Sequence, residues 1–583
     1  LIRKRASARA GLIGNPSDGY HGKTYLSIAV LAPLDSGNAD TIMPVGIAFE
    51  LNQPGFPQNP GRAQPYNPAT CADLSQDGSI QFVTSDTAGR VLVWNADGST
   101  FLPGRTNGTF IQLPGGSTHS AVAVGDITGD NCLELVVAAD NGRVYAYDRN
   151  ANPVPGFPVT TGDRILASPV LCDLDRDTKK EVICASTDGK LHVWRGDGSN
   201  FPGFPIYLGS EFRAAVAITD TSTPQIAALG SDGRLFLINR DGGIVPGFPV
   251  LVGFGALYTH AAPVVGDLDH DGNREIVCVV SGGYDYRTVV VSLEGKTRYM
   301  SRAQIRNPFV GTPALADIDG DGFLEILLTA RNSIYAFNHN GTLVSNYPAE
   351  QESLYETIEI GSFPDGDYLF FVTHDFRFTS SPVIAFDETG RLCIFVGSPK
   401  WGVLAIDAQT GRPLGSFPLS TVSSVSPTPL VCDADGDGQL ELAVGSDDGV
   451  FHVWKLPGNA GAVPWGGFLR DPTHSGLYDM PLQEFGSSGP PIVDNFYIYP
   501  NPAEKFATVR FRLGKVSNAS ARIKILDVSG FPLLEIPAPA CAQTENEQRF
   551  DSRLLPCGVH IARLEVRSDQ GRAVRFYKLG VER

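Results

Sequence analysis

The stretch SPVLCDLDRDTKKEVICASTDGKLHVWRGDGSNFPGFPI, residues 168–206, decides the fold. It opens on a Pro-led apolar run, passes through an Asp-rich loop and returns in a second apolar run. It then turns at Asp188-Gly189, and a third run ends on Trp194. A Pro-Gly-Phe-Pro piece follows at 202–205 and recurs at 54–57, 155–158 and 246–249. The same order of parts is found in 262–280, 312–341 and 428–456. The first loop Asp falls at 73, 126, 173, 220, 267 and 317, spaced by 53, 47, 47, 47 and 50 residues, and again at 433. The long interval before 433 holds one more unit, SSPVIAFDETGRLCIFVG (380–397), with Phe386 in the Asp slot.

Four short strands per unit at this period describe the blades of a β-propeller. Blades pack face to face, so their inner strands must be apolar on both faces, as Pro169-Val-Leu-Cys172 and Pro263-Val-Val-Gly266 are. The expected fold is all-β: an eight-bladed propeller (seven-bladed as the alternative) over 29–478, then a small Ig-like β-sandwich over 496–583. The piece PVGIAFELNQPGFP (44–57) has no Asp loop of its own. It either completes the ring with the last unit or is the remnant of a ninth. The units resemble FG-GAP or VCBS-type repeats, the integrin-α-like blades of secreted bacterial proteins. VPWGGFLRDPTHSGLY (463–478) resembles the closing sequence that follows the last blade in such proteins.

In Asp267-Leu-Asp-His-Asp-Gly-Asn-Arg-Glu275, side-chain oxygens stand at positions 1, 3, 5 and 9, with Gly at 6. Alternating Asp on a tight loop turns carboxylates inward. A backbone carbonyl at position 7 adds an oxygen, and Glu at 9 closes the shell. This is the oxygen-rich environment that calcium requires. The pattern is complete at Asp267/Asp269/Asp271/Glu275, Asp317/Asp319/Asp321/Glu325 and Asp433/Asp435/Asp437/Glu441. Asp173/Asp175/Asp177/Glu181 lacks only the Gly, having Thr178. Asp126/Thr128/Asp130/Glu134 and Asp73/Ser75/Asp77/Gln81 are weaker, and the units at 220 and 386 have lost the set. No His or Cys joins these groups, so zinc is disfavoured, and carboxylate–carbonyl cages favour calcium over magnesium.

The net charge of −17, from 46 basic and 63 acidic residues, argues against nucleic acid, which needs a basic face. No apolar run reaches membrane-spanning length. The acidic loops are spread one per unit, so they do not converge as paired catalytic acids do. No GxSxG or HExxH occurs, and His119, His260, His270, His374 and His474 share no motif and read as surface histidines. The expectation is therefore a binding protein, not an enzyme. The alternatives are a polysaccharide lyase-like propeller and a quinoprotein dehydrogenase. Most of the nine cysteines sit in strand-like runs and read as small buried hydrophobes, while Cys541 and Cys557 are candidates for a disulfide.

The linker 479–495 is rich in Gly, Ser and Pro. Beyond it, Tyr499-Pro-Asn-Pro502, Asp527-Val-Ser-Gly530, Leu555-Pro-Cys-Gly-Val559 and a basic last strand resemble the C-terminal sorting domain of type IX secretion, related to Ig-like hook-capping domains. The resemblance implies export to the outer cell surface or beyond it, engagement of the secretion machinery, and an extracellular glycan or protein ligand for the propeller. At the other end, ARAGLIGNPSDGYHGKTYLSI (8–28) resembles the first motif of GHMP sugar kinases. It is not a Walker A loop, since Ser17 stands where Gly is required, and no kinase body follows. Residues 1–28 read as a leader or fusion-like segment, with a sugar kinase remnant as the alternative.

Overall fold

The computed structural model describes residues 53–479 and 493–581, apart from short stretches of which 254–260, 301–310, 351–356, 363–367 and 527–531 are the longest. The kinase-like segment 1–28, most of the linker and the Asp527–Gly530 turn lie outside the described residues. The chain divides into two compact units, 1–481 and 482–583.

In the first unit each repeat folds on itself. Six four-stranded and two three-stranded antiparallel sheets follow one another along the chain, with one two-stranded hairpin between them, among the described residues. The sheet of the opening quotation is typical: strands Val170–Cys172, Glu181–Ala185, Lys190–Trp194 and Ile206–Tyr207 lie in chain order. In the repeat sheets whose burial is described, the apolar runs are covered on both faces. Val182, Ile183, Leu191 and Val193 are all at most 1% exposed. The residue before the first loop Asp pairs with the residue at loop position 9: Cys172 with Glu181, Gly266 with Glu275, Ala316 with Glu325, Cys432 with Glu441. Each Asp loop is thus the hairpin that links the first two strands of a sheet.

First strands of neighbouring sheets run side by side. Thr70–Ala72 lies beside Ala123–Gly125 on one side and beside Leu430–Cys432, the first strand of the last sheet, on the other. The first and last repeats are therefore neighbours. The N-terminal piece joins them. Gln58 pairs antiparallel with Phe451, and Gln53 N–H donates to the Val453 carbonyl at 3.0 Å, so residues 53–58 supply the outer edge of the last sheet. Of the two sequence-based expectations for this piece, the described part matches completion with the last unit.

The same outer contact explains the Pro-Gly-Phe-Pro motif. Gly156 has φ +93°, and a Cβ there would lie 1.8 Å from the Asp197 carbonyl oxygen on the next sheet's turn. Gly55 at the seam, with φ +84°, meets the Asp97 carbonyl in the same way, at 1.9 Å. Glycine is required because two backbones touch.

The segment after the last sheet does not leave the ring. It runs along the inner strands of successive sheets. Ile384 and Trp465 exchange backbone hydrogen bonds of 2.8 and 3.2 Å, and Val431 N–H donates to the Gly466 carbonyl at 2.7 Å. Val124, Leu171, Ile218 and Val265 then donate in ring order to the carbonyls of Pro472, Thr473, Ser475 and Gly476 at 2.8–2.9 Å. Inner strands of a propeller have one unpaired edge, and this belt satisfies it in six sheets. Trp465, Leu469, His474 and Leu477 on the belt are at most 1% exposed. His474 is thus a buried residue, not the surface histidine expected, and its Nδ1 lies 3.0 Å from the Pro169 carbonyl oxygen. Desolvation holds its pKa below the usual histidine value.

The second unit has a three-stranded sheet, Val493–Tyr499, Phe506–Leu513 and Glu545–Asp551, and a four-stranded one, ordered Pro532–Ala538, Ser520–Leu526, Gly558–Ser568, Gly571–Val581. Val509 and Phe511 of the first sheet share one core with Ile523, Ile525, Leu564 and Val566 of the second. Cys541 and Cys557, the candidates for a disulfide, are both exposed and are not disulfide-bonded.

Candidate metal centres

Six loops share one backbone geometry. Positions 4 and 6 both take positive φ: Gln76 and Gly78, Gly129 and Asn131, Arg176 and Thr178, His270 and Gly272, Gly320 and Gly322, Gly436 and Gly438. Thr178, at φ 76°, holds the left-handed conformation that Gly provides at the same position of four other loops. The missing Gly of that loop therefore leaves its shape intact.

Three kinds of hydrogen bond build the loops. The first Asp accepts from the backbone. Asp173 takes the N–H groups of Arg176 and Thr178 at 2.6 and 3.0 Å, Asp317 those of Gly320 and Gly322 at 2.7 and 3.1 Å, and Asp433 those of Gly436 and Gly438 at 2.9 and 3.1 Å. The Asp at position 5 accepts from the N–H at 7, as Asp321 does from Phe323 and Asp177 from Lys179, both at 2.9 Å. Finally the Glu at position 9 reaches back to the N–H at position 2. Glu134, Glu181, Glu275, Glu325 and Glu441 accept in this way through Oε2 at 2.7–3.0 Å, and Gln81 does so through Oε1 at 2.7 Å.

That last bond occupies only one of the two glutamate oxygens. The other, Oε1, is buried and has no hydrogen-bond partner in Glu325 and Glu441, both 0% exposed. Asp175 Oδ1 in the loop at 173 is likewise buried without a partner. An unsatisfied buried carboxylate oxygen is costly, and a bound cation is the simplest partner for it. Carboxylate oxygens converge to within 4.8 Å of one another in four groups: Asp173/Asp175/Glu181, Asp267/Asp269/Asp271, Asp317/Asp319/Glu325 and Asp433/Asp435/Glu441. These are the four loops singled out from the sequence. Asp126, Asp130 and Glu134 form the same hydrogen bonds with Thr128 in the third position, and Thr128 Oγ1 is also buried and unpartnered.

Electrostatics follow burial. Desolvation raises the carboxyls of Glu134, Glu181, Glu275 and Glu441 to about 7, and that of Glu325 to about 9. It also raises Asp317 to about 6. Neighbouring aspartates push in the same direction.

The sequence did not reveal that two loops carry their own cation. The Arg298 guanidinium lies 2.7 Å from Asp269, 3.1 Å from Asp271 and 3.1 Å from Glu275. Lys455 Nζ lies 3.0 Å from Asp435 and also contacts Asp437. Both residues come from later strands of the same sheets, beyond the reach of a local motif. Asp220, whose unit has lost the pattern, bonds Arg274 of the adjacent loop at 2.6 Å. Phe386 ends the strand Val383–Phe386 and offers no oxygen.

Among solved structures, the chain is similar to BamB from Moraxella catarrhalis, at 14% identity and a TM-score of 0.41, over 67% of this chain and 98% of that one. It is similar to Saccharomyces cerevisiae Sqt1, at 13% and 0.44, over 70% and 99%. A third is PorZ of Porphyromonas gingivalis, a bacterial surface component of the type-IX secretion system, at 13% and 0.32, over 86% and 74%. No curated protein matches the chain. Residues 497–574 match the family described as secretion system C-terminal sorting domain, so the chain carries a type IX sorting signal and is secreted or held at the outer cell surface.

Proposed function

We propose that the first unit is a calcium-stabilised, eight-bladed propeller of FG-GAP/VCBS type that works as a surface binding or adhesion module, delivered by an Ig-like sorting domain. The observation that carries the binding reading is the belt. Residues 465–478 line the inner strands of six sheets, so the chain itself takes the place where a channel-type active site would be built. Recognition of a glycan or protein is then left to the loops and outer faces. Calcium is supported by the buried, unpartnered Oε1 atoms of Glu325 and Glu441 and by the four convergent carboxylate groups.

The test is a glycan and matrix-protein panel probed with the full chain in 1 mM calcium and in chelator. Retention on a defined ligand without release of product supports the module. Release of unsaturated sugar from an acidic polysaccharide would replace it with the lyase reading. Deleting 496–583 should leave the propeller folded but accumulating inside the cell envelope. Continued surface display of that truncation would overturn the delivery role.

Within the calcium reading the loops fall into two classes. Those at 173 and 317 hold carboxylates that await a counter-charge, whereas Arg298 and Lys455 compete with the ion at 267 and 433. Arg298→Gln should strengthen calcium binding by the loop at 267 by about tenfold or more, since a charge-assisted contact is worth about 1.5–3 kcal/mol. Calorimetric titration of the variant against the parent checks this; unchanged affinity and stoichiometry would remove Arg298 from the site.

A further inference from the structure

The seam between the first and last repeats carries a pair of thiols. Cys71 is the central residue of the strand Thr70–Ala72, and Cys432 ends the strand Leu430–Cys432. These two inner strands run side by side where the ring meets itself. Cys71 and Cys432 are therefore neighbours across the seam, one on each of the two adjoining strands. Both side chains pack against the same apolar cluster, which takes Phe56 from the N-terminal piece, Phe82 and Trp94 from the first sheet, and Phe451 and Val453 from the last. Each cysteine is partly exposed, unlike Cys172, Cys184, Cys278 and Cys393, which are buried within sheets.

We propose that Cys71 and Cys432 form a disulfide that locks the ring shut after export. The location supplies the conditions: a secreted chain passes through an oxidising compartment, where neighbouring thiols become oxidised. The chemistry is thiol–disulfide exchange with an external disulfide as oxidant. One thiolate attacks that disulfide and releases the first external thiol. The second cysteine then displaces the other, so two protein thiols become one S–S bond and the oxidant is reduced to two thiols. The pair closes nearly the whole repeat region into one covalent loop, the arrangement in which a crosslink restrains the unfolded chain most. The N-terminal piece and the aromatic cluster hold the seam noncovalently, and the crosslink prevents it from opening outside the cell, where no chaperone can reclose it.

The experiment uses the full chain recovered from the culture medium or cell surface, and the same chain equilibrated in a glutathione redox buffer. Free thiols are alkylated under denaturing conditions without reductant, and the protein is digested and mapped by mass spectrometry. The expected result is one linked peptide pair containing Cys71 and Cys432, lost on reduction. Reduction should lower the Tm by about 5 °C. Cys71→Ser and Cys432→Ser should each start at the lower Tm and gain no further shift from reductant. Alkylation of both residues in unreduced protein from both sources would overturn the proposal. So would a linkage of either residue to a different cysteine.

Discussion

Phe451→Ala should destabilise the first unit by about 3–5 kcal/mol, more than an equivalent change in the middle of any one sheet. Phe451 is 0% exposed and lies on the third strand of the last sheet. Its ring stacks on Trp94 at 4.9 Å and 17°, and lies 5.9 Å from Tyr66, 6.2 Å from Phe56 and 6.2 Å from Phe82. Those partners belong to the N-terminal piece and the first repeat, so one side chain joins both ends of the repeat region. Beyond lost burial, each aromatic pair contributes about 0.5–1.5 kcal/mol of its own. The substitution also empties the place against which Cys71 and Cys432 pack. Phe451→Leu, which keeps most of the volume, should cost well under half as much. Denaturant unfolding gives the numbers, and limited proteolysis tells where the loss acts. The alanine variant should be cut first between residues 53 and 66, where the N-terminal piece peels from the last sheet. A loss below about 1 kcal/mol, or first cuts elsewhere, would show that other contacts close the ring.

What the sequence revealed and what it hid divide along one physical line. Each sheet is built from consecutive strands, and each Asp loop is a hairpin whose bonds span at most seven residues, as from Leu174 N–H to Glu181. Local period and local chemistry were therefore enough to find the repeats and the four carboxylate groups. Contacts that close the ring have no local signature. Gln58 meets Phe451, the strand of Cys71 lies beside that of Cys432, and Trp465 meets Ile384 only because the ring brings distant segments together. The belt shows the limit well. Its sequence was recognisable as a closing segment, but its Pro472, Thr473, Ser475 and Gly476 act through backbone carbonyls, which any residue offers. His474 was misread for the same reason: a polar side chain looks exposed until the tertiary structure supplies a buried carbonyl for it. Arg298 and Lys455 escaped because a basic residue at the end of a strand is ordinary until the strand is placed beside an acidic loop.

Metal-free protein should lose stability as the pH rises from 5 to 8, and calcium should restore it, with an effect on Tm that grows across that range. The glutamates at position 9 give the sign. In the folded chain Glu134, Glu181, Glu275 and Glu441 hold their protons up to about pH 7 and Glu325 to about 9, against an ordinary value of 4.5. A raised folded-state pKa means that the folded protein binds protons that the unfolded chain has already released. The stabilising contribution is complete below about pH 4.5 and disappears as the pH passes through the folded values. Each glutamate is at most 2% exposed, so these shifts correspond, as upper bounds, to about 3 kcal/mol for each of the four raised to about 7 and about 6 kcal/mol for Glu325. Arg298 and Lys455 reduce the figure for Glu275 and Glu441 by offering a partner charge. Calcium reverses the trend because it binds the ionised form. For a Kd of about 10⁻⁴ M, 1 mM calcium adds about 1.4 kcal/mol per occupied loop. Below pH 5 protons compete for the same oxygens and the ion's effect should shrink towards zero. Magnesium, which demands a tighter octahedral shell, should substitute poorly. Scanning calorimetry in chelator and in 1 mM calcium, at pH 5, 6, 7 and 8, gives both curves. A metal-free Tm that is flat or rises with pH would mean that the buried glutamates find partners other than protons. A calcium shift of equal size at pH 5 and 8 would place the ion away from them. Asp317→Asn with Glu325→Gln, which removes two of the charges at one loop while keeping their hydrogen-bond acceptors, should abolish that loop's share of both effects and leave the loop at 173 unchanged.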